Sequence, residues 1–423
     1  MYCINEDGSR NMIHPADVKG RFQVRKKLLW ALLVAIYVIL PWIQIGGHPA
    51  VLVDLPRRHF YLFGGVFNAS DFYMFFFFVA GFGLSLILFS ALFGRIWCGY
   101  GCPQTVFMEG FFRRVERWID GPAGKRQKQG MKVGRAILKQ VIFLGLSLVI
   151  AHIFLSYFIP VEELRNVVTS PPTEHWTAFL FVMGFTALIY GNFARFREQT
   201  CLILCPYGRL QSVLYDADTV NVQYDFERGE PRGHYNEEGA GDCIDCYRCV
   251  AVCPTGIDIR AGVQMECIGC ANCIDACEEV MDKAKRPRGL IRYASLREIE
   301  EGKARFWRPR LFLYVAIFVC FIAGFVLLSL RRNDYDARLI RQRGVPYTLD
   351  REKGLVRNGF RLHLVNKLGH DEHFVLEGVG PEKATFIIPN NDVHLKSTES
   401  RNVTLFVEIA REDYEPGMLF RMK

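Results

Sequence analysis

The chain has 423 residues, half of them hydrophobic, with 34 phenylalanines and a formal net charge of +8. This length predicts two or three domains, and the apolar content is high for a soluble protein. The fourteen cysteines are not spaced as in a secreted disulfide scaffold, which argues against that class. The basic residues flank apolar runs, so the charge favours a membrane surface over nucleic acid as a partner.

Five uncharged or nearly uncharged runs are each predicted to cross a bilayer. Residues 1–27 form a polar, basic N-terminal segment, and an apolar run follows directly. No small-residue cleavage site follows that run, which favours an uncleaved anchor over a signal peptide. The sequence therefore predicts a helical membrane protein whose first four spans form a membrane domain over residues 28–215. The predicted spans are Leu28–Ile45, Phe72–Phe93, Val141–Ile159, Trp176–Phe193 and Leu311–Leu330.

The positions of lysine and arginine predict the orientation of these spans. Basic residues are dense before the first span and between the second and third, and sparse after the first and the third. Alternation then places the N-terminus and residues 194–310 in the cytoplasm. It also places residues 331–423, beyond the span at 311–330, in the periplasm. Contact of the basic residues with membrane lipid is expected, and no nucleic-acid module is found.

Eight cysteines between Cys243 and Cys277 form two tandem C-x2-C-x2-C-x3-C runs. This is the bacterial ferredoxin spacing, in which the fourth cysteine of each run binds the other cluster. Zinc sites instead use pairs of cysteines with longer gaps. We predict a cytoplasmic domain with two [4Fe-4S] clusters and a basic linker over residues 243–310, after a polar linker at 216–242. The predicted ligands are Cys243, Cys246, Cys249 and Cys277 for one cluster, and Cys253, Cys267, Cys270 and Cys273 for the other.

Four more cysteines form two C-x3-C-P motifs, each following a predicted span: Cys98, Cys102, Cys201 and Cys205. The second pair has helical i, i+4 spacing, whereas Gly99 and Gly101 favour a loop for the first pair. The repetition suggests two related two-helix units that face each other. Four thiolates at one site would suit Cu(I), zinc or a further iron–sulfur centre. Packed core cysteines and two redox-active disulfide pairs remain alternatives. Cys3 and Cys320 stand apart and are interpreted as non-functional.

The last 93 residues, 331–423, change character. Runs such as Arg361–Val365 and Val403–Ile409 alternate apolar and polar residues between turn signals, the pattern of half-buried strands. We predict a small β-sandwich. The sequence indicates no titratable cluster there, so docking or a structural role is expected.

The C-x3-C-P motifs, the insert beginning Gly241-Asp-Cys243, and the segment Arg288–Tyr293 together resemble the cytochrome c oxidase accessory protein family (CcoG, FixG or RdxA). The resemblance extends over nearly the whole chain. It implies a multi-pass polyferredoxin of the bacterial inner membrane with a periplasmic immunoglobulin-like C-terminal domain. It also implies assistance in assembling cbb3-type cytochrome c oxidase, with the oxidase subunits and copper-handling proteins as partners.

The implied activity is one-electron reduction of Cu(II) to Cu(I), with Cys98, Cys102, Cys201 and Cys205 as the copper-handling thiols. Two other functions are compatible with the sequence. The protein could carry electrons from a quinol pool to another enzyme, or it could be an assembly scaffold whose clusters are structural. The sequence does not identify the electron donor or the oligomeric state.

Overall fold

A computed structural model describes residues 12–55, 58–68, 71–121, 133–235, 237–342, 344, 347–415 and 418–422. Its α-helices are α1 Arg21–Ile39, α2 Phe72–Phe93, α3 Ile96–Tyr100, α4 Pro103–Phe107, α5 Arg113–Asp120, α6 Val133–Leu155, α7 Val161–Thr169, α8 Trp176–Gly191, α9 Pro206–Leu214, α10 Phe226–Gly229, α11 Arg248–Ala251, α12 Asn272–Lys283, α13 Leu296–Glu301 and α14 Pro309–Leu330. Three π-helical segments cover Met108–Phe112, Asn192–Phe196 and Thr200–Leu204.

The strands are short except in the C-terminal region. They are β1 Gln44–Ile45, β2 His48–Pro49, β3 Val51–Asp54, β4 His59–Leu62, β5 Gly65–Phe67, β6 Asn221–Tyr224, β7 Ile291–Ala294, β8 Tyr335–Arg341, β9 Thr348–Asp350, β10 Leu355–Asn366, β11 Glu372–Val375, β12 Gly378–Val379, β13 Thr385–Ile387, β14 Asp392–Leu395, β15 Ser400–Ala410 and β16 Arg421–Met422.

Among the described residues, four helices are long and apolar enough to cross a membrane: Phe72–Phe93, Val133–Leu155, Trp176–Phe196 and Pro309–Leu330. Each contains most of a span predicted from the sequence.

The first predicted span, Leu28–Ile45, corresponds to a helix that is not among these four. Its helix α1 begins earlier, at Arg21, and ends at Ile39, and a 3-10 turn and strand β1 follow. The basic residues in its first two turns make it less apolar than the other four.

The structure divides into two compact units. The first comprises Met1–Leu40, Phe78–Ser156 and Glu162–Ala323, and it contains all twelve cysteines of the predicted sites. An aromatic core joins α6 to the π-helical segments: the Phe112 ring packs on Phe143 at 4.9 Å and on Phe193 at 4.5 Å. Offset and edge-to-face ring pairs at such separations stabilise a core beyond their buried area.

The segment 216–242, predicted to be a linker, packs with the predicted cluster domain at 243–310, and the two together are called the ferredoxin lobe. Strand β6 pairs antiparallel with β7, with Asn221 opposite Ala294 and Tyr224 opposite Ile291. Val222 and Tyr224 are buried in the same core as Cys243 and Cys249. The sequence signal was weak because the strand has only four residues and lies among Asp and Gly residues.

The second unit comprises Pro41–Phe77, Tyr157–Val161 and Gly324–Lys423. Its largest sheet has the order β13-β15-β10-β8, with β9 also paired to β10, and β11-β14 and β12-β16 form separate pairs. The predicted strands are confirmed: Val403, Leu405, Val407 and Ile409 are all buried along β15. The predicted lack of a titratable cluster is wrong, since the β11-β14 pair brings together His373, Asp392 and His394.

Candidate metal centres

The two ferredoxin-type cysteine runs fold into loops with matched backbone conformations. Left-handed φ angles are uncommon outside glycine and are retained where the surrounding structure requires them. In each loop, two residues with left-handed φ angles flank the second cysteine of the run, so the backbone turns sharply around that cysteine. The residues are Asp245 (52°) and Tyr247 (54°) around Cys246, and Gly269 (64°) and Ala271 (60°) around Cys270.

Helix α12 carries Cys273 and Cys277, one turn apart, and directs them to different groups of thiols. Burial raises the pKa of Cys277 to about 12, and the nearby charges of Cys249, Cys243 and Cys246 also raise it. The fourth cysteine of the second run therefore lies beside the first three cysteines of the first run. This is the crossed arrangement that the spacing predicts.

The second group forms around Cys273 in the same way. Burial raises the pKa of this thiol well above its usual value, and repulsion from Cys270, Cys267 and Cys253 in their thiolate forms adds to the rise. These cysteines line one cavity. The Gly269 N–H also donates to Cys267 Sγ at 3.4 Å. Four thiols that line one cavity and a backbone donor aimed at sulfur fit an iron–sulfur cluster, which deprotonates its ligands and is tuned by such hydrogen bonds.

The two C-x3-C-P motifs also share a local fold. Cys98 lies in α3 and Cys201 in the π-helical turn Thr200–Leu204, so the first pair is helical at its start rather than a loop. In both motifs the second cysteine is extended and forms the N-cap of a helix that starts with proline: Cys102 has φ −66° and ψ 126°, and Cys205 has φ −71° and ψ 111°. Proline at the first helical position needs no hydrogen-bond donor, so the motif ends one helix and begins another.

The four membrane-motif thiols lie close together. Burial raises the pKa of Cys201 to about 12, and Cys102, Cys98 and Cys205 add to the rise. Burial likewise raises the pKa of Cys98 to about 12, with Cys102 next in effect. Cys98 Sγ also donates to Gln211 Oε1 at 3.4 Å. Four half-buried thiols gathered in this way are a donor set for a soft metal ion, which would replace their protons.

The membrane thiol site and the ferredoxin lobe are in direct backbone contact. A Cβ atom added at Gly99 would lie 2.8 Å from both Cys270 Cα and the Ile268 carbonyl oxygen. The reverse contact is also close, since a Cβ at Gly269 would lie 3.1 Å from the Arg95 carbonyl carbon. Helix α3 therefore rests on the loop Ile268–Cys270, and Cys98 precedes the contact residue directly.

Lys26 is a site residue that sequence reasoning missed. It was assigned to the basic N-terminal segment, yet it is only 2% exposed. Its Nζ donates to the Cys270 carbonyl oxygen at 3.1 Å and to the Asn272 side-chain oxygen. Burial raises the pKa of Cys270, and the Lys26 charge opposes that rise. Lys26 and its exposed neighbour Lys27 look alike in sequence, so no local signal distinguishes them.

A buried ion-pair network also lies between the two thiol sites. Arg113 Nη2 donates to Glu198 Oε2 at 3.2 Å and to the Pro254 carbonyl oxygen at 3.1 Å. Arg197 forms a bidentate pair with Glu116 at 2.6 and 3.0 Å. Bidentate arginine–carboxylate pairs fix geometry as well as charge. Pro254 follows Cys253, so this network positions the ferredoxin loop against the helices that carry the membrane thiols.

Comparison with known proteins identifies three matching family models. A 4Fe-4S dicluster domain matches residues 196–296, a 4Fe-4S binding domain matches residues 72–124, and an IG-like fold at the C-terminus of FixG matches residues 325–421. The second match covers α2–α5 and contains Cys98 and Cys102. The cysteine pattern and two of the family models thus support iron–sulfur binding. The third family model and the strands of the second unit support an immunoglobulin-like C-terminal domain.

Three curated proteins are similar over most of the chain. Protein RdxA of Cereibacter sphaeroides is 37% identical, covering 87% of this chain and 82% of its own. The nitrogen fixation protein FixG of Rhizobium meliloti is 32% identical, covering 94% and 84%. Protein RdxB of Cereibacter sphaeroides is 36% identical, covering 85% and 80%.

Proposed function

Because the chain belongs to the FixG/RdxA family of membrane iron–sulfur proteins, we propose that it is an electron-transfer protein that reduces Cu(II) to Cu(I) during assembly of a cbb3-type cytochrome c oxidase. The proposed cluster ligands are Cys243, Cys246, Cys249 and Cys277, and Cys253, Cys267, Cys270 and Cys273. The proposed copper-handling thiols are Cys98, Cys102, Cys201 and Cys205.

The observation that carries this proposal is the contact of Gly99 with Cys270. It joins one predicted cluster ligand to helix α3, which carries the proposed copper ligand Cys98, with no intervening side chain. Buried atoms in van der Waals contact offer a short, water-free path for an electron. The absence of a Cβ at Gly99 is what allows the two backbones to approach this closely.

Thiol chemistry supplies the driving force at the proposed copper site. When bound, each cluster stores and releases a single electron, so one reduced cluster is oxidised for each Cu(II) ion reduced to Cu(I). Thiolates bind Cu(I) more strongly than Cu(II), so the four cysteines raise the copper potential. Lys26, buried against the Cys270 loop, favours the added negative charge of a reduced cluster.

Contacts within the first unit support a fifth crossing by α1. Lys26, in the second turn of α1, bonds to the backbone of Cys270 in the ferredoxin lobe. Three apolar helices, α2, α6 and α8, separate these two positions along the chain. Two residues in contact lie on the same side of the membrane, which requires an even number of crossings, so α1 supplies the fourth. The residues beyond Lys26, thirteen in α1 and three in the 3-10 turn Leu40–Trp42, span about 25 Å, close to the hydrocarbon thickness.

We further propose that the ferredoxin lobe faces the cytoplasm and that residues 331–423 face the periplasm. The density of basic residues around the N-terminus and α5 supports this orientation. On this account the oxidase subunits and copper-handling proteins are the partners, and a cytoplasmic or membrane donor supplies the electrons.

A copper reduction assay tests the proposal. The purified full chain is reduced without oxygen, freed of reductant and mixed with Cu(II), and Cu(I) is measured with a specific chelator. We expect reduction by the wild type and by Cys320→Ser, whose cysteine is exposed on α14. The quadruple variant with Cys98, Cys102, Cys201 and Cys205 changed to Ser should be at least tenfold slower.

Iron analysis of the same samples separates the alternatives. An iron content of about eight per chain in both wild type and quadruple variant supports two clusters and a separate copper site. A content near twelve that falls to about eight in the variant would assign the four thiols to a third cluster. Unchanged copper reduction by the variant would overturn the copper role.

A cavity in the first unit favours a second function, electron transfer from a membrane quinol. Its volume is about 430 Å³, and its apolar walls include Leu33, Phe107 and Phe193. Tyr37, Gln104 and Asn192 supply polar groups, and Gly101 and Pro103 of the first thiol motif complete the wall. A large apolar cavity with few polar groups is typical of a small-molecule site.

A quinol oxidation assay without copper tests this function. Oxidation that is lost in Phe107→Trp, which fills the cavity, would support it. Phe312→Trp, on the exposed face of α14, is the control and should retain the activity.

A further inference from the structure

The β11-β14 pair of the second unit carries a cluster of three ligand-type side chains. The antiparallel register places His373 directly opposite His394 and places Asp392 opposite Val375. Along β14, Val393 and Leu395 are buried while Asp392 and His394 are exposed. Since side chains alternate between the faces of a strand, Asp392, His394 and His373 project from the same outer face.

Their geometry suits a metal ion. The three ligand atoms all lie within 4.8 Å of one another. The two imidazole rings stack with centroids 4.2 Å apart, His373 Nε2 bonds to Asp392 Oδ1, and His394 Nε2 lies 3.7 Å from the same oxygen. Two ligands of one ion, each about 2 Å from it, are separated by about 3 to 4 Å, so small side-chain rotations would complete the site.

From this geometry we propose that His373, His394 and Asp392 form a surface binding site for a divalent late transition metal, with Cu(II) preferred over Zn(II). Two imidazoles and one carboxylate suit both ions, and Cu(II) is the tighter binder in the ordinary divalent series. The exposed setting leaves positions open for water or for a ligand from another protein. The proposal goes beyond copper reduction and does not rest on it.

The imidazole and carboxylate donors of this site contrast with the four thiols of the C-x3-C-P motifs. Thiolates favour Cu(I), whereas imidazole and carboxylate accept the divalent ion. The outer site would therefore hold oxidised copper without reducing it, because no thiol lies among its ligands. The alternative is a cluster in which the three side chains contact only one another and no metal binds. The two differ in metal stoichiometry, which can be measured.

The main test uses the full chain with Cys98, Cys102, Cys201 and Cys205 changed to Ser, so that those thiols neither bind nor reduce the probe. One equivalent of Cu(II) is added with the clusters oxidised, and EPR is recorded. We expect a mononuclear Cu(II) signal with nitrogen couplings, one per chain. His373→Ala with His394→Ala should abolish it, and Asp392→Asn should weaken binding at least tenfold. His363→Ala, on β10, is the matched control and should leave it unchanged.

A second measurement keeps the proposal testable if the serine background does not fold. Zn(II) bound to the otherwise unaltered chain is counted with and without the paired histidine substitution, and we expect one equivalent fewer in the variant. A parent protein without a nitrogen-coordinated Cu(II) signal would overturn the proposal. So would a double variant that binds as much Cu(II) and Zn(II) as its parent.

Discussion

At the scale of single residues, Gly99 and Lys26 bring other parts of the chain against the predicted cluster loop. Both act through the same short loop, Ile268–Cys270, one by close packing and the other by charge. Gly99 is a spacer position of the first C-x3-C-P motif and Lys26 lies outside the cysteine motifs, so the spacing of the cysteines predicts neither contact. Their roles follow from contacts between distant parts of the chain.

We predict that Gly99→Ala slows electron transfer between the two sites while the iron content is retained. The new methyl group would lie 2.8 Å from backbone atoms of Ile268 and Cys270, which cannot rotate away as a side chain could. The loop must shift, and overpacking of this kind costs about 1–3 kcal/mol of stability. The rate of Cu(II) reduction per bound iron is the measurement. Gly110→Ala is the control because nothing lies within 4 Å of its added Cβ.

We also predict that Lys26→Met lowers the reduction potential of the cluster held by Cys253, Cys267, Cys270 and Cys273. A buried cation stabilises the extra negative charge of the reduced state, and its loss should shift the potential by about 60 mV, a tenfold change for a one-electron couple. An EPR-monitored redox titration gives the value. Lys27→Met, at an exposed position, should leave it unchanged, and equal potentials in the two variants would refute the role of Lys26.

At the scale of elements, α12 organises the ferredoxin lobe. It presents Cys273 and Cys277 to two groups of thiols and also caps α1. The Asp275 carboxylate accepts from the backbone N–H groups of Phe22 at 3.1 Å and Gln23 at 2.8 Å. The first-turn donors of a helix have no partner within it, and here a carboxylate from another helix satisfies two of them. The cap holds the start of α1, and with it Lys26, against the cluster loop.

Asp275→Ala should therefore destabilise the protein by about 1–2 kcal/mol, the usual effect of losing an N-cap. The midpoint of thermal unfolding in detergent should fall, and Lys26 should become accessible to amine-modifying reagents. Asp282→Ala, on the exposed face of the same helix, is the control. An Asp275→Ala protein with wild-type stability and a protected Lys26 would contradict the capping role.

Several elements could be predicted from the sequence because their signals are local. The ferredoxin spacing, the spans at Phe72–Phe93 and Leu311–Leu330, and the alternation of Val403–Ile409 each lie within one short segment. The remaining features depend on contacts between residues that are far apart in the sequence. Strand β6 is recognisable only beside β7, and the His373–His394 pair requires the register between β11 and β14. The contact of Gly99 with Cys270 joins positions far apart in the chain.

At the scale of the whole molecule, the described residues include the ferredoxin cysteines and the C-x3-C-P cysteines in the first unit. They also include the cluster of His373, Asp392 and His394 in the second unit. The ferredoxin lobe and the membrane thiols belong to the same compact unit. Within the second unit, buried Asp71 pairs with Lys367 at 2.8 Å and Arg332 at 3.1 Å. These ion pairs join the segment before α2 to the C-terminal domain.

The proposed topology gives a prediction at this scale. If residues 331–423 face the periplasm, protease added to spheroplasts should remove this region and leave a membrane-protected fragment that retains both ferredoxin cysteine runs. Five crossings put the N-terminus on the protected side as well, because Lys26 contacts the ferredoxin lobe. An N-terminal tag that is digested in intact spheroplasts would contradict five crossings.

The central claim is that electrons pass from the ferredoxin lobe to copper at Cys98, Cys102, Cys201 and Cys205, and anaerobic freeze-quench EPR tests it most directly. The reduced, reductant-free full chain is mixed with one equivalent of Cu(II), and the cluster and copper signals are followed together. We predict that the Cu(II) signal disappears at the rate at which one of the two reduced clusters in each chain is oxidised, with one electron lost per copper ion. Loss of the Cu(II) signal while the clusters stay reduced, or persistence of both signals, would contradict the claim.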